Sequence, residues 1–134
     1  MRTLIRNALI VTMDAQRRVL ENMDLLLEDS VIAKIERDIQ EKVDHEIDGS
    51  GRIILPGFIC GHTHLYGIML RGAPLNIKPT TDFLQILDRV WWKVDSAFVN
   101  EDAYASALSS CYEFVKSGTT CFADTYSGPG SIEG

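Results

Sequence analysis

The stretch GFICGHTHLYG, Gly57 to Gly67, carries two of the chain's three histidines, His62 and His64, one residue apart. They follow an apolar run, IILPGFIC, of the kind that is buried, and a buried imidazole without a partner is costly. Side chains at i and i+2 of a strand point to the same face, so His62 and His64 should project together. Two imidazoles on one face can converge on one metal ion, each through a nitrogen at about 2.0–2.1 Å. The alternative is a pair hydrogen-bonded to loop carbonyls, and a bare His-x-His does not separate the two. Its setting favours the metal: an apolar strand, a Pro56-Gly57 entry, and glycines at 61 and 67. Cys60 shares the face but starts roughly 13 Å from His64, four residues at about 3.3 Å each. It reads as a small core residue and not a ligand. His45, in the polar run EKVDHEID, reads as solvated.

The elements around the pair follow from pattern. Residues 1–55 read as short strands of a small antiparallel unit. Leu4 to Met13 alternates. Asn22–Glu28 and Val31–Glu36 flank Asp29-Ser30, a tight hairpin turn. Lys42–Ile47 and Ile53–Leu55 add two short strands either side of Gly49-Ser50-Gly51. From 56 to 134 the character changes. Phe58–His64 is apolar almost throughout, the mark of a strand covered on both faces. Asp82, with Gln85 three residues on, forms a helix start. Phe83, Leu84, Leu87, Val90, Trp91, Val94 and Phe98 then make a helical stripe. Asn100 caps a second helix whose buried face is Ala107, Leu108, Cys111, Tyr112 and Val115, and Gly118 ends it. Thr119–Ala123 is a short buried strand, followed by a loop over 127–131. The order strand, helix, helix, strand is one crossover unit of an α/β fold. Such folds place their sites at strand C-termini. That end carries His62 and His64. Asp124, closing the second strand, should lie at the same mouth, either in the chemistry or anchoring a loop.

Composition removes other functions. A net charge of −6, with 13 scattered basic residues, argues against a nucleic-acid face. No apolar run approaches the roughly 20 residues that span a bilayer. The N-terminus reads as a strand and not a signal peptide. Three cysteines, Cys60, Cys111 and Cys121, are an odd number, and free thiols in a reducing cytoplasm are the simplest account. At 134 residues the chain can bury about one core.

The segments RNALIVTMD, DLLLEDSVIAKIE and IDGSGRIILPGFICGHTHLYG resemble the opening of the amidohydrolase superfamily. The segments LRGAPL, FLQILDRVWWKVDSAF and NEDAYASALSSCYEFVKSGTTCFADTYSGPGSIEG are similar to its branch of cytosine, guanine and thiomethyladenosine deaminases and chlorohydrolases. The resemblance runs over essentially the whole chain. It implies the start of a metal-dependent (β/α)₈ barrel over 56–134, preceded over 1–55 by part of a small β-sandwich. It implies one divalent ion, Zn²⁺ or Fe²⁺, on His62 and His64. It also implies hydrolytic deamination or dechlorination of an aromatic N-heterocycle by metal-activated water. Trp91 matches a tryptophan that lies near the substrate in purine-type members. Those members follow it with Pro and then Glu; this chain has Trp92-Lys93-Val94-Asp95.

A (β/α)₈ barrel needs about 200–250 residues or more. The remaining metal ligands and the acid–base group implied by the resemblance have no counterpart here. The chain is therefore expected to be the N-terminal third of a longer, cytoplasmic enzyme, inactive alone, with a small heterocycle as substrate. Two other readings stand beside this one. One is a non-catalytic module that self-associates through an open sheet edge. The other is a metal site completed by another chain. A homo-oligomer, or the remainder of the barrel, is the expected protein partner.

Overall fold

A computed structural model describes residues 1–130 of the chain; Ser131, the last residue of the expected loop, lies outside them. The chain divides into two compact units, Met1–Pro56 and Gly57–Gly134. No helix among the described residues is long and apolar enough to cross a membrane.

The first unit is one sheet of five strands: β1 (Arg2–Val11), β2 (Val19–Glu28), β3 (Val31–Glu36), β4 (His45–Asp48) and β5 (Ile53–Ile54). The spatial order is β3-β2-β1-β4, and β5 also pairs with β1. β1, β2 and β3 pair antiparallel, with Asp29 at φ 52° in the expected two-residue turn. The sheet as a whole is not antiparallel, as the sequence suggested. β4 and β5 run parallel to β1. The reason lies in residues 37–44, which return the chain from one side of the sheet to the other before β4 begins. Ile39 in that return packs on the cross-strand pair Leu4 and Leu26, with Val43 against them. The opposite face is a second cluster built on Ala8, Ile10 and Leu25.

β1 also departs from simple alternation. The register with β2 shifts between Ile5 and Ala8, and again between Ala8 and Ile10. Each strand contributes one extra residue, and Asn7 and Asn22 sit there at φ 57° and 53°. Asparagine tolerates this left-handed backbone better than most residues. The first bulge puts Ile5 and Ala8, three residues apart, on one face. Asp24, only 3% exposed, ties the region together. Its carboxylate accepts from Asn7 N at 3.0 Å, Ile39 N at 3.0 Å and Arg6 Nη1 at 3.1 Å.

The second unit pairs two parallel strands, β6 (Phe58–Thr63) and β7 (Thr119–Asp124). Parallel neighbours need a crossover. Here it comprises a 3₁₀ helix (Leu65–Leu70), α1 (Phe83–Ile86), a π-helical turn (Leu87–Trp91), α2 (Trp92–Ala97) and α3 (Asn100–Ser117). Asp82 caps α1 as expected, Oδ1 accepting from Gln85 N at 2.9 Å. Gly118, at φ 78°, ends α3 in the left-handed conformation that favours glycine. Gly57 opens β6 where a Cβ would stand 2.3 Å from Thr120 Oγ1 and 2.8 Å from Thr120 Cβ, so no larger residue fits.

Three expectations are corrected here. The cap of α3 is Val99, with Asn100 already helical; Asp102 Oδ2 accepts from Val99 N at 3.2 Å. The buried face of α3 is not Leu108, Tyr112 and Val115, which are exposed, but Ser106 and Ser110. Small hydroxyl residues let the helix approach closely: Ser110 Oγ donates to Leu65 O at 2.7 Å, holding the 3₁₀ helix. Finally, neither strand of this pair is buried: in β6 Phe58 and Ile59 are 56% and 76% exposed, and in β7 every residue from Thr120 to Asp124 is exposed. Among the described residues, only β7 pairs with β6.

Candidate functional site

His62 is the fifth residue of β6. His64 lies just beyond its end, extended at φ −131° and ψ 92°, where the chain turns into the 3₁₀ helix. Both rings are exposed and not buried as their apolar lead-in suggested, because β6 itself is uncovered. They do project together. Nε2 of His62 and Nε2 of His64 stand 3.2 Å apart with the rings perpendicular.

The proton positions follow from the partners. His64 Nδ1 is 2.7 Å from Thr125 O, and a carbonyl only accepts, so Nδ1 carries the proton. In the neutral ring Nε2 of His64 is then the acceptor, and His62 Nε2 donates to it. For His64 this is the tautomer a metal ligand needs, its second nitrogen fixed by a backbone carbonyl; His62 would ligate once its proton has moved from Nε2 to Nδ1. Two nitrogens bound tetrahedrally at about 2.0–2.1 Å stand roughly 3.3 Å apart, close to the separation found. The pair therefore fits a small divalent ion. Among the described residues no third His, Cys, Asp or Glu completes a metal-holding group with it. Cys60 points its sulfur elsewhere, donating to His62 O at 3.3 Å.

Asp124 ends β7 next to the pair. Its Oδ1 accepts from Leu65 N at 2.9 Å, at the start of the 3₁₀ helix. Thr125 N donates to Thr63 O at 3.0 Å, so the two strand ends are stitched together.

Beside His64 opens a cavity of about 390 Å³, lined also by Tyr66, Phe83, Leu87, Trp91, Trp92, Asp95 and Ser127. Trp91 is on it, 6.0 Å from His64 and 5.5 Å from Tyr66 between ring centroids. A Cβ on Gly67 would approach Trp91 Cη2 to 3.2 Å, so this glycine gives the indole room. The wall is largely aromatic, suited to a planar ring.

Of the eight residues lining the cavity, sequence reasoning named only His64 and Trp91 as members of a site; the polar residues it missed are Tyr66, Asp95 and Ser127. Tyr66 is 4% exposed and sits at the centre of the aromatic cluster, against Phe98 and Tyr126 as well. Burial pushes its hydroxyl pKa above the ordinary value. Asp95 is 9% exposed; its Oδ2 accepts from Ser127 Oγ at 3.2 Å, and its Oδ1 has no hydrogen-bond partner among the described residues. A signal for Asp95 was present: it stands four residues after Trp91, beside Val94 of the apolar stripe.

Comparison with known proteins places these features. Residues 53–132 match the model of the Amidohydrolase family. The chain is 35% identical over 123 residues to a 5'-deoxyadenosine deaminase of Methanosarcina acetivorans, covering 92% of this chain and 28% of that protein. It is 39% identical over 127 residues to a 5-methylthioadenosine/S-adenosylhomocysteine deaminase of Carboxydothermus hydrogenoformans, with the same two coverages. Among solved structures it is similar to an atrazine chlorohydrolase from Arthrobacter aurescens complexed with zinc. That match has a TM-score of 0.78 and 31% identity over 92% of this chain and 28% of that one. An adenosine deaminase from Xanthomonas campestris with bound zinc superposes with a TM-score of 0.80 at 19% identity, again over 92% and 28%, a likeness of fold alone. The chain thus spans 28% of the length of these relatives.

Proposed function

Because the chain belongs to the amidohydrolase family, we propose that it forms the metal-binding opening of a hydrolase that deaminates or dechlorinates an aromatic N-heterocycle. Its α/β fold is the start of the family's (β/α)₈ barrel. In this reading residues 56–134 are the first barrel units and residues 1–55 part of the accompanying β-sandwich. The remainder of the barrel, or another copy of the chain, is its protein partner, and the setting is cytoplasmic. The observation that carries the reading is the convergence of His62 Nε2 and His64 Nε2 at 3.2 Å beside a Trp91-walled cavity.

A divalent ion, zinc or iron, would be held by His62 and His64. Such an ion supplies Lewis acidity that makes water a nucleophile at neutral pH. The chain's own residues do the rest of their part by placement. Thr125 O holds the proton on His64 Nδ1, leaving Nε2 free to bind. Trp91, propped from behind by the buried Tyr66 ring, offers a ring face on which a planar heterocycle can stack, fixing its orientation and excluding water from one side. Asp124 acts by position: it ties Leu65 to the end of β7, so the turn after His64 cannot drift. Between the two chemistries, deamination is favoured by the nucleoside deaminases at 35% and 39% identity.

The test is turnover by the full-length protein loaded with zinc or iron. Adenine nucleosides, S-adenosylhomocysteine and chlorotriazines are the substrates to compare. Release of ammonia from the nucleosides is expected, and it should vanish in His62→Ala and His64→Ala together with the bound metal. Metal binding that survives both substitutions would overturn the assignment.

A further inference from the structure

Asp95 has no task in the metal reading, yet it is a carboxylate placed almost out of solvent at 9% exposure. Burying it is costly unless it is hydrogen-bonded. Among the described residues its hydrogen-bond partner is Ser127, whose hydroxyl donates to Oδ2 at 3.2 Å. With that proton committed, the contact of 3.3 Å between Tyr66 OH and Ser127 Oγ runs from the tyrosine to the serine. The direction is therefore Tyr66 to Ser127 to Asp95.

Ser127 lies two residues after Thr125, in a segment beyond the end of β7 that has no strand or helix of its own. That segment carries the carbonyl that meets His64 Nδ1 at 2.7 Å. Its backbone is held at one end by the bond from Thr125 N to Thr63 O. The other end is held by Ser127, through Asp95, to helix α2. Between them the Tyr126 ring packs on Tyr66 at 5.0 Å. We infer that Asp95, Ser127 and Tyr66 form a positioning chain that holds residues 125–127, and through Thr125 O sets the tautomer and orientation of His64 as a ligand. The inference rests on the metal reading proposed above. Asp95 stands on a helix, so the tether transmits the rigidity of α2 to a turn that would otherwise be free to move. Partners that orient a ligating histidine typically change metal affinity by about 10–100-fold when removed.

The experiment is Zn²⁺ competition against a chromophoric chelator, on the full-length protein. Ser127→Ala is expected to weaken Zn²⁺ binding about tenfold, while Ser127→Thr, which keeps the hydroxyl, restores it. In a His64→Ala background the same Ser127→Ala change should cost nothing further, because the two act on one contact. Should Ser127→Ala not fold, Tyr66→Phe removes one hydroxyl from the chain and should give a smaller loss in the same assay. A lowered melting temperature with unchanged Zn²⁺ affinity in the folded variant overturns the inference, since a merely structural tether would do that. If His62→Ala and His64→Ala weaken the metal but Ser127→Ala and Tyr66→Phe do not, the positioning chain alone falls. If the histidine variants leave affinity unchanged, both the metal reading and the inference fall.

Discussion

Asp124 and His64 show how two polar residues at neighbouring strand ends divide the work. His64 has its two ring nitrogens committed in different directions, one to Thr125 O and one toward His62. Asp124 has an oxygen committed to the backbone, Leu65 N at 2.9 Å, and it does not line the cavity. A carboxylate used this way needs an acceptor oxygen and not its charge. Asp124→Asn in the full-length protein is therefore expected to leave kcat unchanged. Asp124→Ala should lower stability by about 1 kcal/mol, the ordinary worth of one such bond. Steady-state kinetics and thermal melts of the two variants check this. A large fall in kcat for Asp124→Asn would return the charge to the chemistry.

Among the elements, β1 and α3 depart furthest from their periodic patterns, and each does so for a local reason. β1 and β2 exchange one extra residue apiece at Asn7 and Asn22, and Asp24 fills the gap. Removing that carboxylate would strand two backbone donors, Asn7 N and Ile39 N, and take one partner from the Arg6 guanidinium, which keeps Glu46. Asp24→Ala is expected to destabilise the first unit by about 3 kcal/mol, in the range for breaking a buried, hydrogen-bonded charge. Denaturant melts followed by circular dichroism would measure it; a change within about 0.5 kcal/mol, the size of an ordinary surface substitution, would show that the bulge holds itself. α3 turns its serines inward for a comparable reason, because Ser110 reaches Leu65 O where a larger side chain would push the 3₁₀ helix away.

For the whole molecule, two consequences differ in kind. The first is electrostatic. Lys34 first, and then Arg2, hold the Glu41 carboxyl below its ordinary pKa; Arg18 does the same for Asp14, and Ser50 for Asp48. A carboxylate lowered on folding adds stability that is fully present above its unfolded pKa. That contribution is lost as pH falls through the folded value. The melting temperature should hold through neutral pH and drop below the ordinary carboxylate range, about 4. Glu41→Gln should flatten the drop. The second is catalytic. The 134 residues supply two imidazoles and one aromatic wall, while hydrolysis also needs an acid–base group and a pocket that orients the ring. The isolated chain with added zinc or iron is expected to show no turnover of nucleosides or chlorotriazines. Metal-dependent turnover that disappears on His62→Ala would show that fewer residues suffice.

The order of elements, the hairpin turn at Asp29-Ser30, the caps at Asp82 and Gly118, and the shared face of His62 and His64 were all determined by the sequence, because each depends on residues within a few positions of one another. Strand period sets the histidine face, and turn chemistry sets the hairpin. The barrel family was legible too, in motifs contiguous along the chain. Tertiary structure decided what depends on distant neighbours. The parallel placement of β4 on β1 depends on the return path of residues 37–44. The true inner face of α3 depends on Leu65, 45 residues before Ser110. The wall of Tyr66, Asp95 and Ser127 joins residues 61 and 32 positions apart. Local periodicity cannot register such contacts, because a side chain's partner is chosen by where the crossover brings it and not by the residues beside it.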